Sequence, residues 1–268
     1  MKSTQSHRAS TRRAAGFSLI EITIAIAIMG VLMGAILVPL VTQVQQRNVS
    51  TTERTMAEVK DALLGFASVN GRLPCPATEA SLGAEAFDTA NSGTAANGRC
   101  ASFWGFVPAR TLGITPVTNN GFAIDAWGSN DNRIRYAVSN DTVGAIARPF
   151  TTTDGLRAAT FASIATAPAL LTVCSSASGV TAGVSCAAGA TLVSNAVAVI
   201  WSVGPNASTG GLGADERQNP NPKDETSTDR IFVSHPASNI TNNAFDDLVT
   251  WVSVNTVVNR MVGAGQLP

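Results

Sequence analysis

The distribution of apolar and polar residues divides the chain into an N-terminal helical part and a longer body of short strands. From Phe17 to Val41 the sequence is largely apolar and carries a single charged residue, Glu21. Such a stretch is long enough to cross a hydrocarbon core as a helix, because a span needs about 20 residues. Apolar residues then recur from Gln43 to Val69 at the three-four spacing of a helix. They are Val49, Met56, Val59, Leu63 and Phe66.

These two patterns predict one continuous helix from Phe17 to about Val69, transmembrane at first and amphipathic afterwards. A helix of this length is roughly 80 Å long. We expect Pro39 to bend its membrane half, because proline cannot donate the helical hydrogen bond. Asn70 and Gly71 form a C-terminal stop signal, and Pro74 follows shortly after.

The rest of the chain reads as a β-rich body with long loops. Residues 71–121 lack a periodic pattern and are expected to be irregular. Clusters of apolar residues between turn residues predict short strands. These lie at 123–126, 134–138, 197–201, 231–233 and 248–254. Asn255 is then expected to cap a last short helix through Met261. The predicted fold class is α+β, with the long helix packed on an antiparallel β-sheet.

The four cysteines are expected to fasten the long loops. An even number of cysteines in an exported domain suggests disulfides, and three pairings are possible. Local pairing is preferred, because each bridge then closes a loop rich in glycine, alanine and serine that has little core of its own. The preferred pairs are Cys75–Cys100 and Cys174–Cys186. Zinc is the rival interpretation, but the chain has no Cys-x-x-Cys and only 2 histidines.

Charge is distributed unevenly although the formal net charge is +0. Residues 1–16 contain basic side chains, at Lys2, Arg8, Arg12 and Arg13, and no acidic one. By the positive-inside rule this basic segment stays in the cytoplasm, and the part of the chain after the apolar run is extracytoplasmic. The mildly acidic body has no basic patch, so nucleic-acid binding is not predicted.

The order of these parts separates the chain from an ordinary secretory protein. A secretory signal has its cleavage site after the apolar run, whereas here the small residues Ala14-Ala15-Gly16 precede it. Gly16, Phe17 and Glu21, with Ser18-Leu19-Ile20 between them, resemble the processing motif of the type IV pilin superfamily, which includes the pseudopilins of type II secretion. A plain membrane anchor with an incidental glutamate is the alternative.

The resemblance implies a maturation and assembly pathway. A prepilin peptidase would cut between Gly16 and Phe17 and methylate the new amine of Phe17. Residues 1–16 would be the leader, 17–41 the transmembrane or filament-core helix, 42–70 its amphipathic continuation and 71–268 the periplasmic pilin-like domain. The subunit would cross the bacterial inner membrane once. An assembly platform would then move it into a filament of pilin or pseudopilin subunits, in which Glu21 pairs with the Phe17 amine of a neighbour.

Two looser resemblances lie in the body. Asp125-Ala126-Trp127-Gly128 is similar to the Asp-Pro-Trp-Gly segment of pseudopilins, with alanine in place of proline. Residues 202–206 resemble the strand exit of the same proteins. The body is longer than that of compact major subunits, and no cysteine pair frames the C-terminal loop. These departures favour a minor subunit.

Acidic residues of the late loops suggest a calcium site. Calcium takes six to eight oxygen ligands and tolerates loop carbonyls, and the resemblance to calcium-binding pseudopilins supports this interpretation. A solvated acidic loop is the alternative. The candidate ligands are Asp215, Glu216, Asp224, Asp229, Asp246 and Asp247.

Two other functions compete with a structural subunit. A filament-tip adhesin would use the helix only to hold a ligand-binding domain in place. A membrane-tethered hydrolase would have to use His235, the single histidine left after leader removal. No Gly-x-Ser-x-Gly elbow accompanies it. The expected function is therefore assembly rather than catalysis.

Overall fold

The computed structural model describes residues 16, 18–115, 117–140, 147–159, 170–181, 185–209, 213–220 and 230–267, without the side chains of residues 35–40. The chain divides into two units, with the boundary between Arg47 and Asn48. The first helix, α1, spans Leu19–Asn70 and contributes residues to both units. Within the described ranges, no helix combines the length and the apolar character that crossing a membrane requires.

The second half of α1 supplies part of the core of the second unit. Val59 and Leu63 are fully buried, and Met56 and Ala67 are almost so, at the three-four spacing that places them on one helix face. Gly71 follows the last helical residue with φ +62°, and its N–H donates to the carbonyl of Ala67 at 2.8 Å. The predicted stop signal at Asn70 and Gly71 is therefore confirmed.

Short elements follow α1 in the second unit. Three-residue 3-10 helices occur at Glu79–Ser81, Thr89–Asn91, Asn130–Asn132 and Ala207–Thr209. The strands are β1 (Trp104–Phe106), β2 (Arg135–Val138), β3 (Leu171–Cys174), β4 (Thr191–Ser202), β5 (Ile231–Val233), β6 (Ser238–Ile240), β7 (Asn243–Phe245) and β8 (Leu248–Ser253). The remaining helices are α2 (Ala109–Leu112), α3 (Gly155–Ala158), α4 (Ala214–Gln218) and α5 (Val254–Gly263).

The main sheet is built around β4 and is mixed, so the prediction of an antiparallel sheet is wrong. The strand order is β1-β2-β4-β3-β5, and β8 also pairs with β4. All of these pairs are antiparallel except β3 with β5, which is parallel. A parallel pair cannot be joined by a tight turn, and here both β4 and α4 lie between β3 and β5 in the chain. Strands β6 and β7 form a separate two-stranded hairpin.

Alternating residues of the sheet face two apolar clusters. Tyr136 and Ile200 belong to the cluster that contains Val59 and Leu63 of α1 and Met261 of α5. The neighbouring residues Ala137, Val199 and Trp201 belong to a second cluster, in which no described side chain of α1 takes part. This alternation follows from the two-residue period of a strand. The sheet therefore has one face packed on helices and a second face with its own apolar cluster.

The four cysteines form the two local disulfides that the sequence favoured. Cys75 and Cys100 are joined with a Cα–Cα distance of 5.3 Å. Cys174 and Cys186 are joined with a Cα–Cα distance of 5.6 Å. The first bridge fastens the irregular region after α1, and the second closes the connection between β3 and β4.

Three local predictions are wrong. Residues 123–126 form isolated bridges, Val117 with Ala123 and Ile124 with Arg133, rather than a strand. Residues 104–106 and 171–174 are strands that the sequence pattern did not indicate. The last helix is capped by Ser253, whose Oγ accepts the N–H of Thr256 at 3.3 Å, so it begins before the predicted cap at Asn255.

Candidate functional site

The predicted processing site lies at the start of α1. Gly16 is exposed, and Phe17 lies outside the described residues. The carbonyl of Ser18 accepts the N–H groups of Glu21 at 3.0 Å and Ile22 at 3.2 Å, and the helix begins at Leu19. Glu21 is exposed and lies in the first turn. A carboxylate is favourable there, because the free N–H groups of a helix N-terminus carry partial positive charge.

The first part of α1, up to residue 34, presents apolar side chains outward around the helix. Leu19 is 83% exposed and Val31 is 74% exposed. A helix that is apolar all round needs a covering of lipid or protein. The other large apolar side chains exposed in the first unit up to residue 34 are Ile20, Ile22, Ile24, Ile26, Ile28, Met29, Leu32 and Met33.

Three of the predicted calcium ligands come together in the second unit. One carboxylate oxygen each from Glu216, Asp246 and Asp247 lies within 4.8 Å of the others. Glu216 belongs to α4, and the two aspartates immediately precede β8. Asp224 and Asp229 lie outside the described residues.

Two asparagines hold this acidic cluster in place. Asn206 Nδ2 donates to both carboxylate oxygens of Glu216, at 3.0 and 3.1 Å, and Asn219 Nδ2 donates to Asp247 at 2.8 Å. The N–H of Asp246 donates to Glu216 at 2.9 Å. Because both asparagines lie in loops far from Asp246 in the sequence, acidic residue types alone could not reveal them. Asn206 is the last residue of the strand-exit segment that resembles pseudopilins, and this resemblance was the only sequence feature that drew attention to it.

Burial and mutual repulsion make full ionisation of the cluster unfavourable. Burial, together with the charge of Glu216 and a hydrogen bond to it, raises the pKa of Asp246 to about 7. Burial also raises the pKa of Asp247 well above its usual value, against the hydrogen bond from Asn219. Asp246 Oδ1 and Asn206 Oδ1 are buried without a hydrogen-bond partner among the described residues. Oxygen ligands of this kind fit a hard cation such as calcium.

Asp215 does not join this cluster, although it neighbours Glu216 in the sequence. Its carboxylate accepts the N–H of Ala177, the Oγ of Ser176 at 3.1 Å and the Nδ2 of Asn243 at 2.7 Å. Burial opposes ionisation of Asp215, but these hydrogen bonds and the nearby His235 outweigh it and hold its pKa below the usual value. Asp215 therefore connects the second disulfide loop to the β6–β7 hairpin.

His235 is not arranged as a catalytic base. Its Nε2 lies 3.3 Å from Asp215 Oδ2, its Nδ1 lies 2.8 Å from the carbonyl of Pro236, and its ring stacks on Phe245. The Ser176 hydroxyl bonds to the aspartate rather than to the imidazole. In a hydrolytic triad the histidine stands between the serine and the acid, so the described geometry around His235 gives the hydrolase alternative no support.

Asp125, in the segment that resembles pseudopilins, organises a second polar cluster. Its carboxylate accepts the Oγ of Ser202, the Nδ2 of Asn132 at 3.1 Å and the N–H of Trp127 at 2.9 Å. Burial raises the pKa of Asp125, and these hydrogen bonds only partly oppose the effect. The same Asn132 Nδ2 reaches the carbonyl of Gly204 at 2.6 Å. Asp125 thus ties the turn before β2 to the end of β4, next to the loop that carries Asn206.

Comparison with known proteins bears on the N-terminal site. A family model for the prokaryotic N-terminal methylation motif matches residues 11–37, which include Gly16, Phe17 and Glu21. No curated protein and no solved structure matches the chain. The chain therefore carries at its N-terminus the methylation signature of type IV pilins and pseudopilins.

Proposed function

We propose that the protein is a structural subunit of a type IV pilus-like filament or a type II secretion pseudopilus. The observation that carries this proposal is the N-terminal methylation motif over residues 11–37, with Glu21 in the first turn of the helix that follows. Pilin-type subunits act by assembly and not by turnover. The long body and the positions of its cysteines favour a minor subunit.

Maturation would begin with a prepilin peptidase that cuts between Gly16 and Phe17. Cleavage creates a cation at the end of an apolar helix, and Glu21 provides an anion one turn further on. A charge that is buried among apolar helices is tolerated when it is paired and hydrogen-bonded. Pairing between the Phe17 amine of one subunit and Glu21 of the next would set their axial register in the filament.

The inner membrane would hold the subunit before assembly. Support comes from the sequence, since residues 17–41 carry one acidic side chain and follow a basic leader, and from the apolar side chains that residues 18–34 expose. The body would then lie in the periplasm, and an inner-membrane assembly platform would move the subunit into the filament.

A calcium ion is proposed for the acidic cluster. Glu216, Asp246 and Asp247 would hold it, and the ion would neutralise carboxylates that burial otherwise keeps from ionising together. Its effect would be structural, because the cluster joins α4 to the residues before β8. Support comes from Asp246 Oδ1 and Asn206 Oδ1, two buried oxygens without a hydrogen-bond partner among the described residues.

Two substitutions test the proposed function in the native host. Gly16→Ala should block cleavage, so that mass spectrometry of the membrane fraction finds the uncut chain. Glu21→Gln should leave cleavage and methylation of Phe17 intact but reduce filament incorporation. Glu58→Gln is the matched control, because Glu58 is an exposed glutamate on the same helix. Normal processing of Gly16→Ala, or equal incorporation of Glu21→Gln and the control, would refute the proposal.

A further inference from the structure

Strand β8 lies at an edge of the main sheet that carries no protective residue. Its only strand partner within the described residues is β4, so the backbone groups on its other side have no strand to pair with. Leu248, Val249, Thr250 and Trp251 are all partly exposed. Edge strands usually carry a lysine, a proline or a bulge, which prevents unwanted pairing with another strand. The sequence of β8, Leu-Val-Thr-Trp-Val-Ser, contains no charged residue and no proline.

An open groove lies between α1 and the first residues of β8, within the second unit. It has a volume of about 360 Å³ and is lined by Leu248, Val249 and Thr250 of β8. The helix side of the groove is formed by Glu53, Met56, Ala57 and Lys60. Among these residues, Ala57 is small and exposed. An extended chain could therefore lie against β8 at the usual strand spacing of about 4.8 Å.

The two charges of the groove specify the chain that would fit. Glu53 and Lys60 lie about two helical turns apart, or roughly 10 Å along the axis. Neither has an ion-pair partner in the part of the chain that the structure describes. In an extended peptide, residues i and i+4 point to the same side and lie roughly 13 Å apart. Long side chains at these two positions can cover the small difference and reach Glu53 and Lys60.

We propose that the β8 edge binds an extended segment of another protein by strand addition. The segment would carry a basic and an acidic residue four positions apart, facing Glu53 and Lys60, with uncharged β-forming residues between them. Backbone hydrogen bonds to β8 would provide affinity, and the two charges would fix the direction of the segment, as in other strand-addition sites. This inference concerns only the second unit and does not depend on N-terminal processing.

The test uses two peptides of opposite charge order, Lys-Val-Thr-Val-Glu and Glu-Val-Thr-Val-Lys. Each is fused to the C-terminus of the full chain through a flexible Gly/Ser linker, which gives an effective concentration in the millimolar range. Hydrogen exchange of residues 248–253 is measured by mass spectrometry in detergent micelles. One peptide should slow this exchange more than the other, by roughly 2- to 10-fold, the size expected of two exposed ion pairs.

Charge reversal decides the matter. The double variant Glu53→Lys/Lys60→Glu should invert the preference between the two peptides, whereas the control Glu58→Lys, outside the groove, should not. If the double variant loses exchange protection in β4 and is therefore misfolded, Glu53→Gln and Lys60→Gln replace it, and each should reduce the preference. Three outcomes would overturn the proposal: no slowing by either peptide, equal slowing by both, or slowing without a peptide that grows with protein concentration, which indicates pairing between two copies.

Discussion

Arg72 and Glu85 form a two-pronged ion pair inside the second unit. Nη1 of Arg72 lies 2.7 Å from Oε2 of Glu85, and Nη2 lies 2.9 Å from Oε1. The two side chains are only 6% and 17% exposed. The guanidinium also lies 5.0 Å from the ring centre of Phe66, and Glu85 accepts the N–H of Cys75 at 3.3 Å. The pair therefore joins the end of α1 to the first disulfide loop.

Removal of one partner from this pair should be strongly destabilising. Glu85→Ala would leave the Arg72 guanidinium buried without its anion, and breaking a buried pair in this way costs about 3–5 kcal/mol. Arg72→Lys should also be less stable than the unsubstituted protein, because an ammonium cannot make the parallel bidentate contact. The measurement is the free energy of unfolding of the oxidised protein in denaturant.

Glu79 provides a control with the same contact and much greater exposure. Its carboxylate also binds an arginine, Arg133, through two hydrogen bonds, but its side chain is 67% exposed. Arg133 is itself only 12% exposed, but the carboxylate lies in solvent, where an ion pair contributes about 0–1 kcal/mol, so Glu79→Ala should cost clearly less than Glu85→Ala. Similar losses from the Glu79 and Glu85 variants would contradict the importance of burial.

Asp125 should make stability depend on pH. Burial raises the pKa of its carboxyl in the folded protein, so the folded state retains this proton at pH values where the unfolded chain has lost it. The contribution of Asp125 to the free energy of unfolding is therefore constant below about pH 3.9, the ordinary aspartate pKa. Stability then falls as pH rises from about 3.9 through the folded pKa, and levels off above it.

The variant Asp125→Asn isolates this effect. It removes the titrating group, so the stability of the variant relative to the unsubstituted protein should increase as pH rises from about 3.9 through the folded pKa of Asp125. Asp61→Asn, at an exposed position on α1, is the control. Denaturant unfolding at a series of pH values measures the difference, and a difference that does not change with pH for Asp125→Asn would contradict the assignment.

The helical part of the fold could be predicted because its signals are local. The periodic residues Val59 and Leu63 and the stop at Asn70-Gly71 need no information from distant parts of the chain. The apolar run at 197–201 likewise identified the centre of β4. Strands such as 104–106 and 171–174 are too short for a periodic signal, and they are stabilised as strands by pairing with β2 and β4.

The candidate sites were only partly predictable for the same reason. The methylation motif is contiguous, so Gly16, Phe17 and Glu21 could be recognised together. The acidic cluster is assembled from α4 and the start of β8, and the sequence could not distinguish Glu216, which joins it, from its neighbour Asp215, which does not. Which carboxylates meet depends on the α4 turn and on asparagine partners that only the folded chain brings close.

Calcium should stabilise the second unit if the acidic cluster binds it. A ligand that binds only the folded state at 100 times its Kd adds about 2.7 kcal/mol of stability. The thermal midpoint should therefore be higher with calcium than with a chelator. Asp246→Asn should abolish this difference, whereas Asp215→Asn should preserve it, because Asp215 binds Ser176, Ala177 and Asn243 instead. An equal thermal midpoint with calcium and with the chelator would refute the proposed calcium site.

Gly204 should be intolerant of any side chain. It has φ +65°, and a Cβ at this position would lie 2.6 Å from the carbonyl oxygen of Asp246 and still closer to its carboxylate. Gly128 has a similar φ of +71°, but a Cβ there would meet no neighbouring atom within 4 Å, so Gly128 reports the backbone cost alone.

Left-handed backbone costs a non-glycine residue about 1–2 kcal/mol. We therefore expect Gly128→Ala to lose about that amount and Gly204→Ala to lose clearly more, because the loop that carries Asn206 must move away from Asp246. Unfolding free energies of the two variants measure the difference, and equal losses would show that the contact between Gly204 and Asp246 adds nothing to the backbone term.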